Sequence, residues 1–391
     1  MKTATVTWIT YNNYGTVLQA YALQKYIESL GYENEIISDE LILNEHKNAT
    51  THKKPTARTS LTQASSGPID RLRRLLSNPH RIGRILEAHV NRKAYQFPYY
   101  GSQGQFAVFK NNELRIRHGV SSRELMSLNG DYDTFICGSD QIWSVFDRIF
   151  DPYYYLSFAG KKKIAYAPSL GTDRIPEGTT DKIRELLVDF SAISVRERVS
   201  AEQLKGITGR DVEWVCDPTL LHDRSFWNDF VTDVRRPAGK YLLCYFLENK
   251  PWYFERAKEI AGRLHLKIKL VPNKWEYLSN ENVLRYAVGP REFAALFQSA
   301  AFVLTDSYHG SIFSMIFERS FLYLQRFSDD DANSQNIRIQ SLFSYLGIND
   351  RIITGDTPAS DAIDFPDYER ITKRLREYRS RSQAFLIRSM T

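Results

Sequence analysis

The sequence predicts an α/β protein of two Rossmann-like lobes, each built on a parallel sheet. Three observations carry that expectation. Short β-branched and apolar runs alternate with stretches of helical periodicity along most of the chain. Several runs stop abruptly at Gly, Ser, Asp or Asn, as a strand does where it leaves a sheet. The chain has 391 residues, too many for one compact core.

The opening run, residues 3–10 (TATVTWIT), is β-branched and aromatic and reads as the first strand. Tyr11 to Gly15 is a turn. Val17, Leu18, Tyr21, Leu23, Ile27 and Leu30 then recur at helical spacing until Gly31 stops them. A second strand pattern at Glu35–Ile37 completes a βαβ opening, which implies parallel pairing and a right-handed crossover. The turn lacks a GxGxxG pattern, so dinucleotide binding has no support. Asn12, Gly15 and Gln19 nonetheless lie where a strand becomes a helix, the usual place for ligand contacts in such sheets.

Residues 45–68 are rich in Thr, Ser, Lys, Ala and Pro and read as a loose stretch within a basic, partly loose insertion at about 40–110. Residues 71–93 hold seven Arg or Lys against one Glu, on an apolar periodicity that Pro79 interrupts. Such a segment can lie on an anionic membrane face or pack as an ordinary solvated helix. Strand patterns return at Asp133–Cys137, followed by Gly138, Ser139, Asp140 and Gln141, and again at Lys163–Ala167. Ala192–Val195 runs directly into Arg196, Glu197 and Arg198, so guanidinium groups should emerge at the sheet's carboxyl edge, a geometry suited to carboxylate or phosphate.

Residues 232–239 read as a linker, which divides the chain into 1–235 and 236–391. The second half repeats the alternation from Lys240 onward. Its most informative stretch is Ala301–Leu304, a buried-strand pattern, followed by Thr305, Asp306, Ser307, Tyr308, His309 and Gly310 and a further helical run. This places His309 at a strand-to-helix turn. A basic helix over 366–388 ends the chain. Two β/α halves with a final helix able to cross back resemble the two-lobed GT-B glycosyltransferase architecture.

Composition is that of a globular protein with many aromatics, 23 Tyr and 22 Phe. The formal charge of +6 suits an anionic ligand or surface, and no zinc-finger, RNP or helix-turn-helix pattern points to nucleic acid. Cys137, Cys216 and Cys244 are widely spaced and fit a reducing compartment. The eight His form no metal-ligand pattern. No apolar run reaches about 18 residues. The expectation is a cytoplasmic protein, with residues 71–93 available for peripheral contact at the inner membrane face.

Several blocks, in order, resemble the polysaccharide pyruvyl transferase family. They are Tyr14–Gly15 with Leu18 to Leu23, Gly138–Trp143, Ala165–Gly171, Ser194–Glu197, Asp217–Thr219 and Thr305–Gly310. The resemblance implies transfer of a pyruvyl group from phosphoenolpyruvate (PEP) to a sugar of a cell-surface glycan precursor, usually as a cyclic ketal. A polyprenyl-diphosphate-linked sugar is one acceptor consistent with it, and no metal or organic cofactor is implied. It puts His309 at the proton donor and Arg196 at a PEP contact. Many members carry Arg where this chain has Ser307, so Arg326 or Arg338 is expected to supply the missing cation beside Ser307 and Tyr308. Asn12, Gly15, Gln19 and Gln141 fall to the acceptor side, with Asp140 as a candidate base toward a sugar hydroxyl. Asp306 is expected to orient His309 or to cap the next helix. Loss of the family's Arg at Ser307 keeps a nucleotide-sugar glycosyltransferase as the alternative.

Overall fold

A computed structural model of the chain describes residues 1–51, 98–145, 150–328, 331, 334–357 and 363–391. Twelve strands appear among them. In chain order they are β1 (Lys2–Val6), β2 (Glu33–Ile37), β3 (Ile116–Arg117), β4 (Thr134–Cys137), β5 (Lys162–Ala165), β6 (Ala192–Val195), β7 (Glu213–Trp214), β8 (Tyr241–Tyr245), β9 (Lys267–Leu270), β10 (Phe302–Thr305), β11 (Ser320–Leu324) and β12 (Ile352–Ile353). The first seven form one sheet in the order β3-β2-β1-β4-β5-β6-β7, and the last five form another in the order β12-β11-β10-β8-β9. Every pairing is parallel. Parallel sheets are covered on both faces, and the central strands β4, β8, β10 and β11 are buried along their whole length.

The strand orders locate the crevices. In the first sheet the order reverses between β1 and β4, and in the second between β8 and β10. Connections from adjacent strands leave in opposite directions there, which opens a cleft beyond the strands' carboxyl ends. Both clefts are pinned by a carboxylate. Asp140, past the end of β4, accepts a 2.6 Å hydrogen bond from Thr16 Oγ1, past the end of β1. Asp306, past the end of β10, accepts from the backbone amides of Leu247 (2.6 Å) and Glu248 (2.9 Å), past the end of β8.

The lobes share a core. Tyr14, at the start of helix Tyr14–Ser29, stacks on Phe293 of helix Pro290–Ser299 at 4.3 Å, and its hydroxyl donates to Val288 O at 2.8 Å. Trp227 meets Phe313 edge-on at 4.9 Å. The last helix, Tyr368–Met390, returns to the first lobe. Its Tyr378 hydroxyl donates to Val215 O at 2.7 Å, Arg379 Nε to Leu220 O at 2.7 Å, and Gln383 Nε2 to Leu221 O at 2.9 Å. Cys216 N donates to Ser382 Oγ at 2.9 Å. The stretch between these bonds contains Asp217.

Two expectations change, and one falls outside what the structure describes. Residues 40–51 form a helix (Glu40–Thr51) rather than part of a loose insertion. The basic segment 71–93 and residues 52–68 lie outside the described residues. Arg198 does not join Arg196 at the sheet edge: it opens helix Arg198–Thr208, is exposed, and pairs with Glu202 at 3.2 Å, one turn along. Among the described residues, no helix is long and apolar enough to cross a membrane.

Candidate functional site

His309 is the second residue of helix Tyr308–Ile316, which starts where β10 ends. Ser307 caps that helix, its hydroxyl accepting from Gly310 N at 3.3 Å. The cap fixes the first turn and points the imidazole across the lobe boundary. Nε2 of His309 lies 3.3 Å from Oδ2 of Asp217 in the first lobe, a charge contact without the alignment of a full hydrogen bond. The opposite edge of the ring rests on Gly15. A Cβ built there would lie 2.0 Å from His309 Nδ1 and 2.4 Å from Cγ, so only glycine fits. The imidazole is therefore held between a carboxylate and a bare backbone, and the residue is 7% exposed.

Asp217 is wholly buried and fully engaged. Oδ1 accepts from Thr219 N (3.0 Å) and Thr219 Oγ1 (2.7 Å), and Oδ2 accepts from Arg196 Nη1 at 2.9 Å. Burial alone would raise its pKa. The His309 and Arg196 charges and the Thr219 bond outweigh burial and hold it well below the usual carboxylate range. Arg196 is buried among carboxylates, with Asp217 at 2.9 Å, Glu197 at 3.5 Å and Asp140 at 3.9 Å. Burial opposes its charge, but the Tyr308 phenol and these three carboxylates hold it above the ordinary arginine range. Its guanidinium sits 4.7 Å from the Tyr308 ring centre, and Nη2 makes no hydrogen bond.

On the other side of Tyr308 the balance is reversed. Arg338 lies 6.0 Å from the same ring centre. Its Nη2 donates to Gln335 Oε1 at 2.7 Å, and Arg326 Nη2 donates to that same oxygen at 2.9 Å. Among the described residues, no carboxylate is in ion-pair range of either arginine. Burial, and then the like charges of Arg196 and Arg326, push the Arg338 guanidinium down to about 10. Two donors on one oxygen stand within about 6 Å of each other, where like charges repel by roughly 3 kcal/mol at an effective dielectric near 20. A cation pair held by one neutral oxygen is a site that favours an anion.

A model of the family described as polysaccharide pyruvyl transferase matches residues 13–326. The chain belongs to the polysaccharide pyruvyl transferase family. No curated protein is similar enough to match it. Solved structures similar to this polysaccharide pyruvyl transferase family member include the following three. One is Escherichia coli heptosyltransferase WaaC with ADP-2-deoxy-2-fluoro heptose, at 15% identity and TM-score 0.40 over 96% of this chain and 99% of that one. A second is the UDP-GlcNAc 2-epimerase of Neisseria meningitidis bound to UDP-GlcNAc, at 10% and 0.48 over 100% and 99%. The third is Acinetobacter baumannii MurG, at 10% and 0.43 over 99% and 98%.

The structure brings His309, Arg196, Tyr308, Arg338 and Arg326 of this family member into one neighbourhood, with Gly15 against the imidazole. Ser307 serves as the helix cap. Asp140 stands at φ 70°, in a left-handed conformation that costs a non-glycine residue about 1–3 kcal/mol. Its carboxylate is taken up by Thr16 Oγ1 and Gln141 N. The Gln141 side chain lies over Gly171, where a Cβ would stand 2.4 Å from Nε2. Gln19 is wholly buried, its amide donating to Thr7 Oγ1 and Thr16 O, so it builds the turn and has no surface for a sugar. Asn12 is exposed at the rim and bonded to Gln103 and Lys110. Asp306 neither orients His309 nor caps the helix: it bridges β8 and β10, and burial raises its pKa to about 6.

Sequence reasoning missed Asp217 and Gln335. Asp217 stood inside a quoted motif, but its partner is 92 positions away on the other lobe. Gln335 follows an acidic loop, and only the fold brings its amide to two arginines. Among the described residues, no group of three or more His, Cys, Asp or Glu is placed to hold a metal.

Proposed function

We propose that this protein transfers the pyruvyl group of PEP to a sugar of a polysaccharide precursor, forming a cyclic ketal. The observation that carries the reading is the arginine pair, Arg326 and Arg338, crowded on one amide oxygen with no described carboxylate to balance it, one aromatic ring away from Arg196 and His309. PEP has two anionic groups. Arg326 and Arg338 suit the phosphate, and Nη2 of Arg196, which makes no hydrogen bond, suits the carboxylate. Arg196 is already surrounded by carboxylates, so its contribution is directional more than electrostatic.

In this reading His309 gives a proton to the PEP methylene carbon, which becomes a methyl group. Asp217, 3.3 Å from Nε2, holds the imidazole in place. The adjacent carbon, now electron-poor, takes the oxygen of a sugar hydroxyl, whose proton passes back to the imidazole. Phosphate then leaves with its bonding pair, and a second hydroxyl closes the ring as its proton departs with the phosphate. The balance is PEP plus a diol giving ketal plus inorganic phosphate, with no redox change. Asp140, past the end of β4, is the alternative to the imidazole as acceptor of the first hydroxyl's proton.

The test is phosphate release from PEP with a panel of sugars carrying two free hydroxyls, beside a thermal-shift comparison of PEP with nucleotide sugars. Sugar-dependent phosphate release that is lost in His309→Ala and Arg338→Ala supports the proposal. Stabilisation by a nucleotide sugar, with none by PEP and no phosphate release, overturns it.

A further inference from the structure

We infer that the segment following β1 forms a sugar-binding platform, on which Tyr11 and Trp8 receive a pyranose ring and Lys110 meets its oxygens. The inference names the acceptor subsite of the proposed transfer and so rests on that reading for its role, though not for its existence. Four observations build it. First, this segment leaves the sheet at the β1/β4 order reversal, where the cleft of the first lobe opens. Second, Tyr11 is 52% exposed, a large ring left in solvent at that cleft. Its centre is 5.5 Å from that of Trp8, with the planes at 63°, so the two rings make a corner. Sugar rings carry faces of C–H groups that lie against aromatic surfaces, while their hydroxyls need polar partners at the edge.

Third, the polar partners stand beside the rings. Lys110, on the helix at 98–113, donates to Thr10 O at 3.3 Å and to Asn12 Oδ1 at 3.0 Å. An ammonium has three N–H bonds, and two are accounted for among the described residues, which leaves one for a ligand oxygen. Fourth, the platform is rigid from below. The buried carboxylate of Asp39 accepts from Thr10 N at 3.2 Å, from the Thr10 hydroxyl, and from the Tyr154 hydroxyl at 2.9 Å. Trp8 leans edge-on against Tyr154 at 6.5 Å. The backbone between exposed Tyr11 and partly buried Trp8 is thus tied down at Thr10, which lowers the entropy lost when a ligand binds. Asp39 has no spare oxygen for a sugar; it is a positioning residue.

The platform is also tied to the chemistry. From Tyr11 to Gly15, which touches His309, is four residues, at most about 14 Å of extended chain. A sugar on Tyr11 therefore lies within about that distance of the backbone that touches the imidazole.

The experiment uses the full chain and needs no turnover. Saturation-transfer NMR measures contact of methyl β-galactopyranoside and methyl α-mannopyranoside with the wild type, Tyr11→Ala, Tyr11→Phe and Lys110→Met, while thermal shift with PEP reports on the donor site in each. The expected result is transfer to the C–H face of at least one glycoside in the wild type and in Tyr11→Phe. It falls at least ten-fold in Tyr11→Ala and several-fold in Lys110→Met, with any PEP shift unaltered. No transfer in the wild type, or equal transfer in Tyr11→Ala, overturns the platform. If the Tyr11-dependent contact is found but PEP does not bind, the platform stands and the pyruvyl donor reading falls.

Discussion

Replacing Gly15 with alanine separates the placement of His309 from the stability of the fold. The added Cβ would stand 2.0 Å from Nδ1, 2.4 Å from Cγ and 2.7 Å from Cε1 of the imidazole. Ordinary contact needs well over 3 Å, so the ring must retreat by more than about 1 Å, and a displacement of that size at a reacting group costs on the order of 100-fold in rate. The retreat also strains the 3.3 Å approach of Nε2 to Asp217. Stability changes little by comparison. Alanine gains about 0.5–1 kcal/mol over glycine in a helix, and local overpacking loses about 1–3 kcal/mol. The net loss is then at most roughly 2.5 kcal/mol, worth several degrees at about 2–4 °C per kcal/mol. The assay pairs sugar-dependent phosphate release from PEP with a melting curve. A folded Gly15→Ala protein that turns over at the wild-type rate would refute the argument, because the imidazole would then be free to sit elsewhere.

Three other outcomes follow from the same geometry. Asp217→Asn removes the carboxylate closest to buried Arg196 and facing His309; losing one partner of a buried pair costs about 3–5 kcal/mol, so melting drops by roughly 6–20 °C at about 2–4 °C per kcal/mol and turnover falls more steeply than PEP affinity. Gln335→Glu supplies an anion that Arg326 and Arg338 lack among the described residues, so the melting temperature should rise by several degrees while the apparent PEP affinity falls at least ten-fold; a fall in both would show that the amide oxygen is not the hub of the pair. His222 stacks on Phe226 at 3.7 Å and bonds Ala22 O at 2.9 Å, and burial lowers its pKa to about 4. The unfolded chain takes up that proton near pH 6.5, so stability is full above about 6.5 and is lost as pH falls toward 4. The difference in melting temperature between wild type and His222→Asn should therefore shrink steadily across that window, and a constant difference would remove the imidazole from the account.

The two-sheet alternation was legible because parallel strands buried on both faces read as short apolar runs, as at Phe302–Thr305. Helix ends were legible where one residue forces them: Gly31 stands at φ 85°, just past the end of the first helix at Ser29. The short edge strands β3 and β7, two residues each, were not, since two residues carry no periodicity. Helix 98–113 was absorbed into the insertion because its apolar positions, Phe106 and Phe109, pack on Tyr14 and Phe230, distant partners that no local pattern shows.

At the site, the sequence could nominate cations and could not say which of them are available. Arg196, Arg326 and Arg338 look alike in one dimension. In the fold, Arg196 is met by Asp217, Glu197 and Asp140, drawn from three different connections of the first sheet, while Arg326 and Arg338 are met by an amide. Assigning counter-ions is a tertiary property, because a carboxylate neutralises whatever guanidinium the topology delivers to it, irrespective of separation along the chain. The same reasoning accounts for Asp306. Its place in the motif beside His309 invites a catalytic partnership. A residue one position past a strand end at an order reversal instead faces the neighbouring strand's exit, and there it meets the amides of Leu247 and Glu248. The partner of His309 had to come from the other lobe, and the last helix, by holding Val215 to Leu221 in place, is what brings Asp217 within reach.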